Sequence, residues 1–420
     1  MHKIERLLQT LAPKGVEFRK LGEVCEIIRG KRVTKKEILD KGKYPVVSGG
    51  IGFMGYLNEY NREKNTITIA QYGTAGFVNW QSQKFWANDV CFSVIPKETL
   101  INRYLYYVLT NMQNYLYSIS NRSAIPYSIS SNNIIQITIP IPPLEIQQVI
   151  VKILDAFTEL NTELNTELKA RKKQYQYYQN MLLDFNGINS NHKDAKMSAK
   201  TYPKRLKTLL QTLAPKGVEF RKLGDIGEYI RGVTYKKNQE INNLECGIKV
   251  LRANNITLSN HLNFEDIKVI NKNVKIRKEQ YLKKNDILIC AGSGSSEHIG
   301  KVAFINTDFD YVFGGFMGVI RIREVNSRFV YHIFTSNIFK QYLEKSLNTT
   351  TINNLNANIL QNFLIPIPPL EIQQEIVKIL DQFLALTTDL LAGIPAEIEA
   401  RKKQYVYYRE KLVSFKPLKA

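Results

Sequence analysis

Two stretches of the chain place apolar residues at alternating steps of three and four. The first runs through Ile146, Ile150, Ile153, Phe157, Leu160, Leu164, Leu168, Tyr175, Tyr178 and Leu182. The second runs through Ile372, Ile376, Ile379, Phe383, Leu386, Leu390, Ile394, Ile398, Tyr405, Tyr408, Leu412 and Phe415. This spacing is the seam of a coiled coil and predicts two long helices. Unbroken from Leu144 to Asp184, the first would be about 60 Å long at 1.5 Å per residue. Pro142-Pro143 and Pro368-Pro369 stand just ahead of the two runs, as proline does near a helix start. The second run carries four extra residues between Phe383 and Arg401, around Gly393 and Pro395. An insertion of that size keeps the seam in phase, and the Gly and Pro predict a kink or short break.

Ahead of each run the pattern changes to short strands and one helix. The first segment predicts strands at 44–47, 66–70 and 90–95 and a helix near 102–118; the second predicts strands at 248–251, 286–290, 301–305 and 319–322 and a helix near 328–345. Ile4, Leu7, Leu8 and Leu11, with Leu206, Leu209, Leu210 and Leu213 as counterparts, have the spacing of a short helix that ends before Pro13 or Pro215. Residues 186–203 are polar and read as a linker.

The pattern repeats because the sequence does. Residues 7–22, LLQTLAPKGVEFRKLG, recur unchanged at 209–224. Residues 139–157, IPIPPLEIQQVIVKILDAF, recur at 365–383 with 17 of 19 identities, and ARKKQYQYY at 170–178 recurs at 400–408 with 8 of 9. Between these constant parts the copies look unrelated, and the second is about 24 residues longer. A constant frame around a variable insert, present twice, predicts two pseudo-symmetric halves. The expected class is α+β: two globular α/β domains separated by two long antiparallel coiled-coil helices. The expected boundaries are 1–143 for the first domain, 144–185 for the first helix and 186–203 for the linker. The second domain then covers 204–369 and the second helix 370–420. If the halves are related by a pseudo-dyad, residues 2–22 must lie against the end of the second helix, as 204–224 lie against the end of the first.

Charge narrows the partners. Lys and Arg number 58 against 38 Asp and Glu, a formal charge of +20. That favours a polyanion, although abundant Lys, Ile, Asn and Tyr also suit an AT-rich genome. Cys25, Cys91, Cys246 and Cys290 are far apart, with no C-x-x-C pair, and read as reduced, packed thiols rather than disulfides or a zinc site. Neither a signal-peptide core nor a run of about 18 apolar residues is present, so a cytoplasmic protein with no membrane partner is expected.

No catalytic or metal motif emerges, and no cofactor is expected. Gly50-x-Gly52-x-x-Gly55 matches the dinucleotide fingerprint but opens no helix, and Gly294 to Lys301 lacks P-loop spacing. What recurs is basic and glycine-rich. Arg29, Lys31, Arg32 and Lys35 occupy the place taken by Arg231 and Lys236 in the second copy. Small or hydroxyl-bearing turns contain Ser48 and Gly49, Tyr72 and Thr74, and Ser293, Ser295 and Ser296. With Tyr235, Arg252 and Asn254 these are the candidate DNA contacts, since small residues let the backbone approach phosphate and polar side chains read base edges. Ordinary strand turns and a solvated charged face are the alternatives.

A variable globule followed by I-P-x-P-P-L-x-x-Q-Q and a long helix, twice over (Ile139 to Gln148, Ile365 to Gln374), resembles the specificity subunit of type I restriction-modification systems. The resemblance covers essentially the whole chain. It also extends to Y-P-V-V-S-G-G-I at 44–51 and to Asp286-Ile-Leu-Ile ahead of Ile299-Gly300-Lys301. It implies that each globule is a target-recognition domain reading one half of a split double-stranded DNA site. It further implies that the helices form an antiparallel coiled coil docking two methyltransferase subunits, with Gln147, Gln148, Gln373 and Gln374 as candidate contacts, and that restriction subunits join them. The N-P-P-Y or D-P-P-Y loop of adenine methyltransferases is missing, so methyl transfer falls to another chain and no catalytic residue is expected here. Two other readings stay open: a non-catalytic coiled-coil scaffold whose globules bind RNA or protein, and a stand-alone methyltransferase.

Overall fold

The computed structural model describes residues 2–123, 125–185, 202–241, 246–292, 298–347, 355–388 and 393–418. The chain divides into two compact units, Met1–Thr166 with Ala396–Ala420, and Glu167–Pro395. The first expected helix is a single element, Leu144–Leu183, which starts in one unit and ends in the other. The second consists of two helices, Leu370–Thr388 and Ile394–Val413. Gly393 and Pro395, around which the sequence predicts the break, stand at the start of the second of these helices, with Pro395 in its first turn. Residues 389–392 lie outside the described residues, as does most of the expected linker.

In the first unit an antiparallel four-stranded sheet runs in the order Cys25–Arg29, Cys91–Pro96, Thr66–Ala70, Val78–Gln81. A second sheet joins Phe53–Leu57, Tyr44–Val47 and Trp86–Ala87. The β-branched centre of the first sheet, Ile67, Ile69 and Val94, is fully buried against Tyr104, Leu105 and Val108 of the helix Asn102–Asn111. The expected helix to 118 is in fact two, the second being Gln113–Ser118. Gly50, Gly52 and Gly55 lie on the approach to and within the Phe53–Leu57 strand, so no helix follows that motif.

The second unit repeats this plan. Gly227–Arg231, Met317–Ile322, Ile287–Cys290 and Val302–Phe304 form its four-stranded sheet, and Lys268–Ile270, Ile248–Leu251 and Tyr311–Phe313 its second sheet, extended by Glu240–Ile241. The inserts that look unrelated in sequence therefore share strand order and direction. A sheet of this kind constrains alternation and strand direction more than residue identity.

A two-stranded ribbon ties each globule to its helix. Arg19 pairs with Ile139 in one unit and Arg221 with Ile365 in the other, in the same antiparallel register. The long helix then opens on the Pro143 carbonyl, which accepts from the Ile146 and Gln147 amides; Pro369 does the same for Ile372 and Gln373.

The seams also match. Phe157 stacks on Tyr408 with ring centroids 5.4 Å apart and 26° between planes, and within the other unit Phe383 stacks on Tyr178 at 5.0 Å and 22°. Beyond Phe157 the helix faces Tyr405 with Thr158, Asn161 and Asn165, so in this unit the two helices run antiparallel. Beside each stack sits a shared polar cluster. Arg103 Nε donates to Asp155 Oδ1 at 2.7 Å and the Tyr107 hydroxyl also bonds to Asp155. In the second unit Arg328 Nε donates to Asp381 at 2.9 Å, and His332 Nε2 takes the place of the tyrosine at 2.9 Å.

The short helices His2–Leu11 and Lys204–Leu213 seat Ile4 against Leu412 and Val413, and Leu206 and Leu210 against Leu182 and Leu183. Leu11 and Leu213 are 41% and 43% exposed, so the buried stripe ends a turn earlier than the spacing suggests. Leu386, a seam residue by its spacing, is likewise exposed. The four cysteines form no disulfide; Cys25 and Cys91 are buried, and desolvation raises each thiol pKa to about 12. Cys246 corrects the expectation of packed thiols, because it is exposed. No described helix is long and apolar enough to cross a membrane.

Candidate nucleic-acid interface

In the first unit the strand Cys25–Arg29 ends at Gly30, which passes under the turn Ala87-Asn88. A Cβ on Gly30 would stand 2.1 Å from the Asn88 carbonyl oxygen, so only glycine fits. The crossing fixes the basic segment around it: Lys31 N–H donates to Ala87 O, Val33 N–H donates to Asn88 Oδ1, and Arg29 Nε donates to Asp89 O at 2.7 Å. Asn88 in turn donates its amide to Val47 O, which brings the basic segment beside Ser48 and Gly49. Thr74 closes the set, donating its amide (3.1 Å) and its hydroxyl (2.7 Å) to Gly49 O. Gly49 approaches so closely that a Cβ would lie 2.2 Å from the Tyr72 carbonyl oxygen.

Arg29, Lys31, Ser48, Gly49, Tyr72 and Thr74 are thus gathered on one face. Arg32 and Lys35 are exposed on the same loop, which turns where Glu37 accepts from the Thr34 amide and hydroxyl. Those two hydrogen bonds lower the Glu37 carboxyl pKa.

The second unit uses the same crossing. A Cβ on Gly232 would lie 2.1 Å from the Gly314 carbonyl oxygen, and Arg231 just before it is exposed. Here the neighbours differ. A recess of about 520 Å³ is lined by Arg231, Arg277, Phe316 and Asn356 among others. Phe316, 74% exposed, sits where its carbonyl accepts from the amides of both Ala291 and Gly292. Lys236 and Asn254 are exposed, and Tyr235 is half-buried with its hydroxyl pKa raised, chiefly by desolvation.

Arg252 is engaged inside the unit: its Nη2 donates to Asp266 Oδ2 at 2.7 Å, and its Nε is buried. That ion pair, not a groove, holds the side chain. Ser293, Ser295 and Ser296 lie outside the described residues.

The four glutamines separate into two kinds. Gln147 and Gln373 are 0% and 2% exposed. Gln147 Oε1 accepts from Ile101 N–H at 2.8 Å while its Nε2 donates to Thr99 O and Pro142 O; Gln373 bonds Asn326 N–H and Pro368 O in the same manner. These two residues lie inside their units and join globule to helix. Gln148 and Gln374 are exposed.

Sequence reasoning did not single out Phe316, Arg277 or residues 121–123 and 125–128, which the fold brings beside this face. Exposed apolar and aromatic residues in turns carry no motif, and only the fold brings them beside the glycine crossings. Among the described residues no cluster of three or more His, Cys, Asp or Glu could hold a metal ion.

Comparison with known proteins places this architecture. The model of the type I restriction modification DNA specificity domain matches residues 13–173 and again 215–400. A protein of Haemophilus influenzae named as a type I restriction enzyme specificity subunit is 32% identical over 432 residues, covering 98% of each chain. The EcoR124I/EcoR124II specificity subunit of Escherichia coli is 29% identical over 445 residues, covering 99% of this chain and 97% of that one. The crystal structure of the type I restriction-modification S subunit from M. genitalium shares the fold at a TM-score of 0.60 and 16% identity, covering 95% of this chain and 96% of that one. Specificity subunits recognise DNA and leave catalysis to other chains, and with its frame matched twice over this chain belongs to the type I restriction-modification DNA specificity family.

Proposed function

We propose that the chain reads a bipartite, asymmetric site on double-stranded DNA, one half with each unit, and docks the methyltransferase and restriction subunits that act there. The observation carrying this reading is the recurrence of one frame with different residues. Gly30 beneath Asn88 and Gly232 beneath Gly314 hold Arg29 and Arg231 at matching places. Around them stand Tyr72 and Thr74 in one unit, and Arg277 and Phe316 in the other. Equal frames suit equal docking to DNA, and unequal contact residues suit unequal half-sites. Lys and Arg supply salt-sensitive affinity through phosphates, while each polar base contact adds about 1 to 3 kcal/mol of discrimination. Bases between the halves go unread, and helix length fixes their number, as dimer geometry fixes half-site spacing in other DNA readers.

Exposed Gln148 and Gln374 recur at equivalent positions, so two methyltransferase subunits are expected per chain. Native mass measurement of the chain titrated with its methyltransferase tests this: saturation at two copies is expected, and saturation at one counts against it. DNA selection by the same complex should return a split motif with two different halves. A contiguous or palindromic motif contradicts the reading.

A further inference from the structure

Residues 121–123 and 125–128 form the two arms of a hairpin that the glycine crossings do not explain. Asn121 and Ser128 exchange backbone hydrogen bonds at 2.7 and 3.0 Å, and Asn121 Oδ1 accepts from Ser123 N–H at 2.9 Å, which closes the hairpin base. The hairpin is stitched to the recognition turn: Gly73 N–H donates to Tyr127 O, and Ile129 N–H donates to Gln71 O. It therefore stands on the same face as Tyr72, Thr74 and Gly49.

Two of its side chains are presented outward. The Arg122 guanidinium lies 5.3 Å from the ring centroid of Tyr117 and 5.7 Å from that of Tyr127, so two aromatic rings orient it. Arg29 is hydrogen-bonded to Asp89, and Arg252 is paired with Asp266. By contrast, no described residue forms a hydrogen bond or ion pair with the Arg122 guanidinium. Ile125 is 97% exposed.

We propose, resting on the reading that this unit recognises a DNA half-site, that the hairpin enters the major groove and that Arg122 and Ile125 determine specificity there. Arg122 donates two N–H bonds to O6 and N7 of a guanine, a pairing that its planar, pre-organised fork fits better than the flexible ammonium of lysine. Ile125 packs on the C5-methyl of a neighbouring thymine. A two-stranded hairpin fits the major groove, about 12 Å wide, and not the minor groove at about 6 Å.

Selection from a random double-stranded library by the full chain assembled with its methyltransferase subunits tests this, with wild type compared to Arg122→Lys, Arg122→Ala and Ile125→Ser. Both side chains are exposed, so melting temperatures should match wild type and any loss reports on DNA. Arg122→Ala should lower the preference for one guanine in one half-site at least tenfold, and Arg122→Lys should lower it less. Ile125→Ser should lower the preference for an adjacent thymine, and the other half-site should be unchanged in all three. An unaltered motif in Arg122→Ala overturns the proposal. So does an Arg122→Ala protein that weakens equally on every sequence with a shallower salt dependence, the mark of a phosphate contact. A wild-type complex that binds the library without selecting any sequence removes the DNA reading itself, a result separable from either of these.

Discussion

Val16 pairs with Pro417 in a parallel bridge: Val16 N–H donates to Lys416 O at 3.0 Å, and Leu418 N–H donates to Val16 O at 2.9 Å. The two ends of the sequence are thus joined within one unit, with Ile4 buried beside Leu412 and Val413. A chain closed in space but cut in sequence tolerates moving the cut. A circular permutant joining Ala420 to Met1 by a short linker, and opened between Asn186 and Tyr202, is expected to fold and to keep the DNA specificity of the parent. Circular dichroism and binding-site selection check this; a permutant that fails to fold contradicts it.

His332 gives the second unit a pH dependence that the first lacks. It is fully buried; desolvation lowers its pKa below the ordinary 6.5, outweighing the opposing hydrogen bond to Asp381. The groups facing it are Asp381 and Arg328 on one side and Tyr175, itself held by Gln179, on the other. As pH falls below about 6.5 the unfolded chain binds a proton that the folded unit refuses, so stability is complete above that value and declines below it. The expected slope from this one group is at most about 1.4 kcal/mol per pH unit. His332→Tyr, which copies Tyr107 of the first unit, should remove that part of the slope in urea melts between pH 7 and pH 5.5. Equal slopes in the two proteins contradict the assignment.

The paired glutamines make opposite predictions. Gln147→Ala leaves the half-buried Ile101 amide without its acceptor and opens space at a fully buried position, and should cost about 1 to 3 kcal/mol of stability. Gln148→Ala should leave melting unchanged and weaken methyltransferase binding. Calorimetry and pull-down titration separate the two effects; a Gln147→Ala protein of wild-type stability contradicts its structural role.

The frame is legible because it is written twice. Near-identical segments announce the Pro-Pro helix starts and the short leading helices. The common sheet plan of the inserts is hidden, since strand order survives wholesale change of residues. Gln147 misleads because a Q-Q pair looks like surface. With Ile146, Ile150 and Leu154 it lies on the buried stripe, at a step of three from Ile150. The clusters around Asp155 and Asp381 are invisible in sequence because their partners are distant along the chain and one tyrosine is replaced by a histidine. The candidate face is found in sequence through the matching basic segments, Arg29 to Lys35 and Arg231 to Lys236, and the small-residue turns; the glycine crossings at Gly30 and Gly232 emerge only in the fold. The Arg122 hairpin has no such signal.

The buried pair Arg321–Asp286 anchors the second unit. Nε and Nη2 each donate to a different carboxylate oxygen at 2.8 Å, and Asp286 is 1% exposed. Asp286→Ala strands the guanidinium and should destabilise this unit by about 3 to 5 kcal/mol. The first unit should keep its melting transition. Two-wavelength denaturation or limited proteolysis checks this, and loss of both transitions together contradicts it.

The central claim is that each unit reads its own half of the site. Its most direct test replaces residues 23–138 with the corresponding globule of another specificity subunit and sequences the DNA motif methylated by the assembled complex. One half of the motif should change while the other half is retained. A change in both halves, or in neither, contradicts the account.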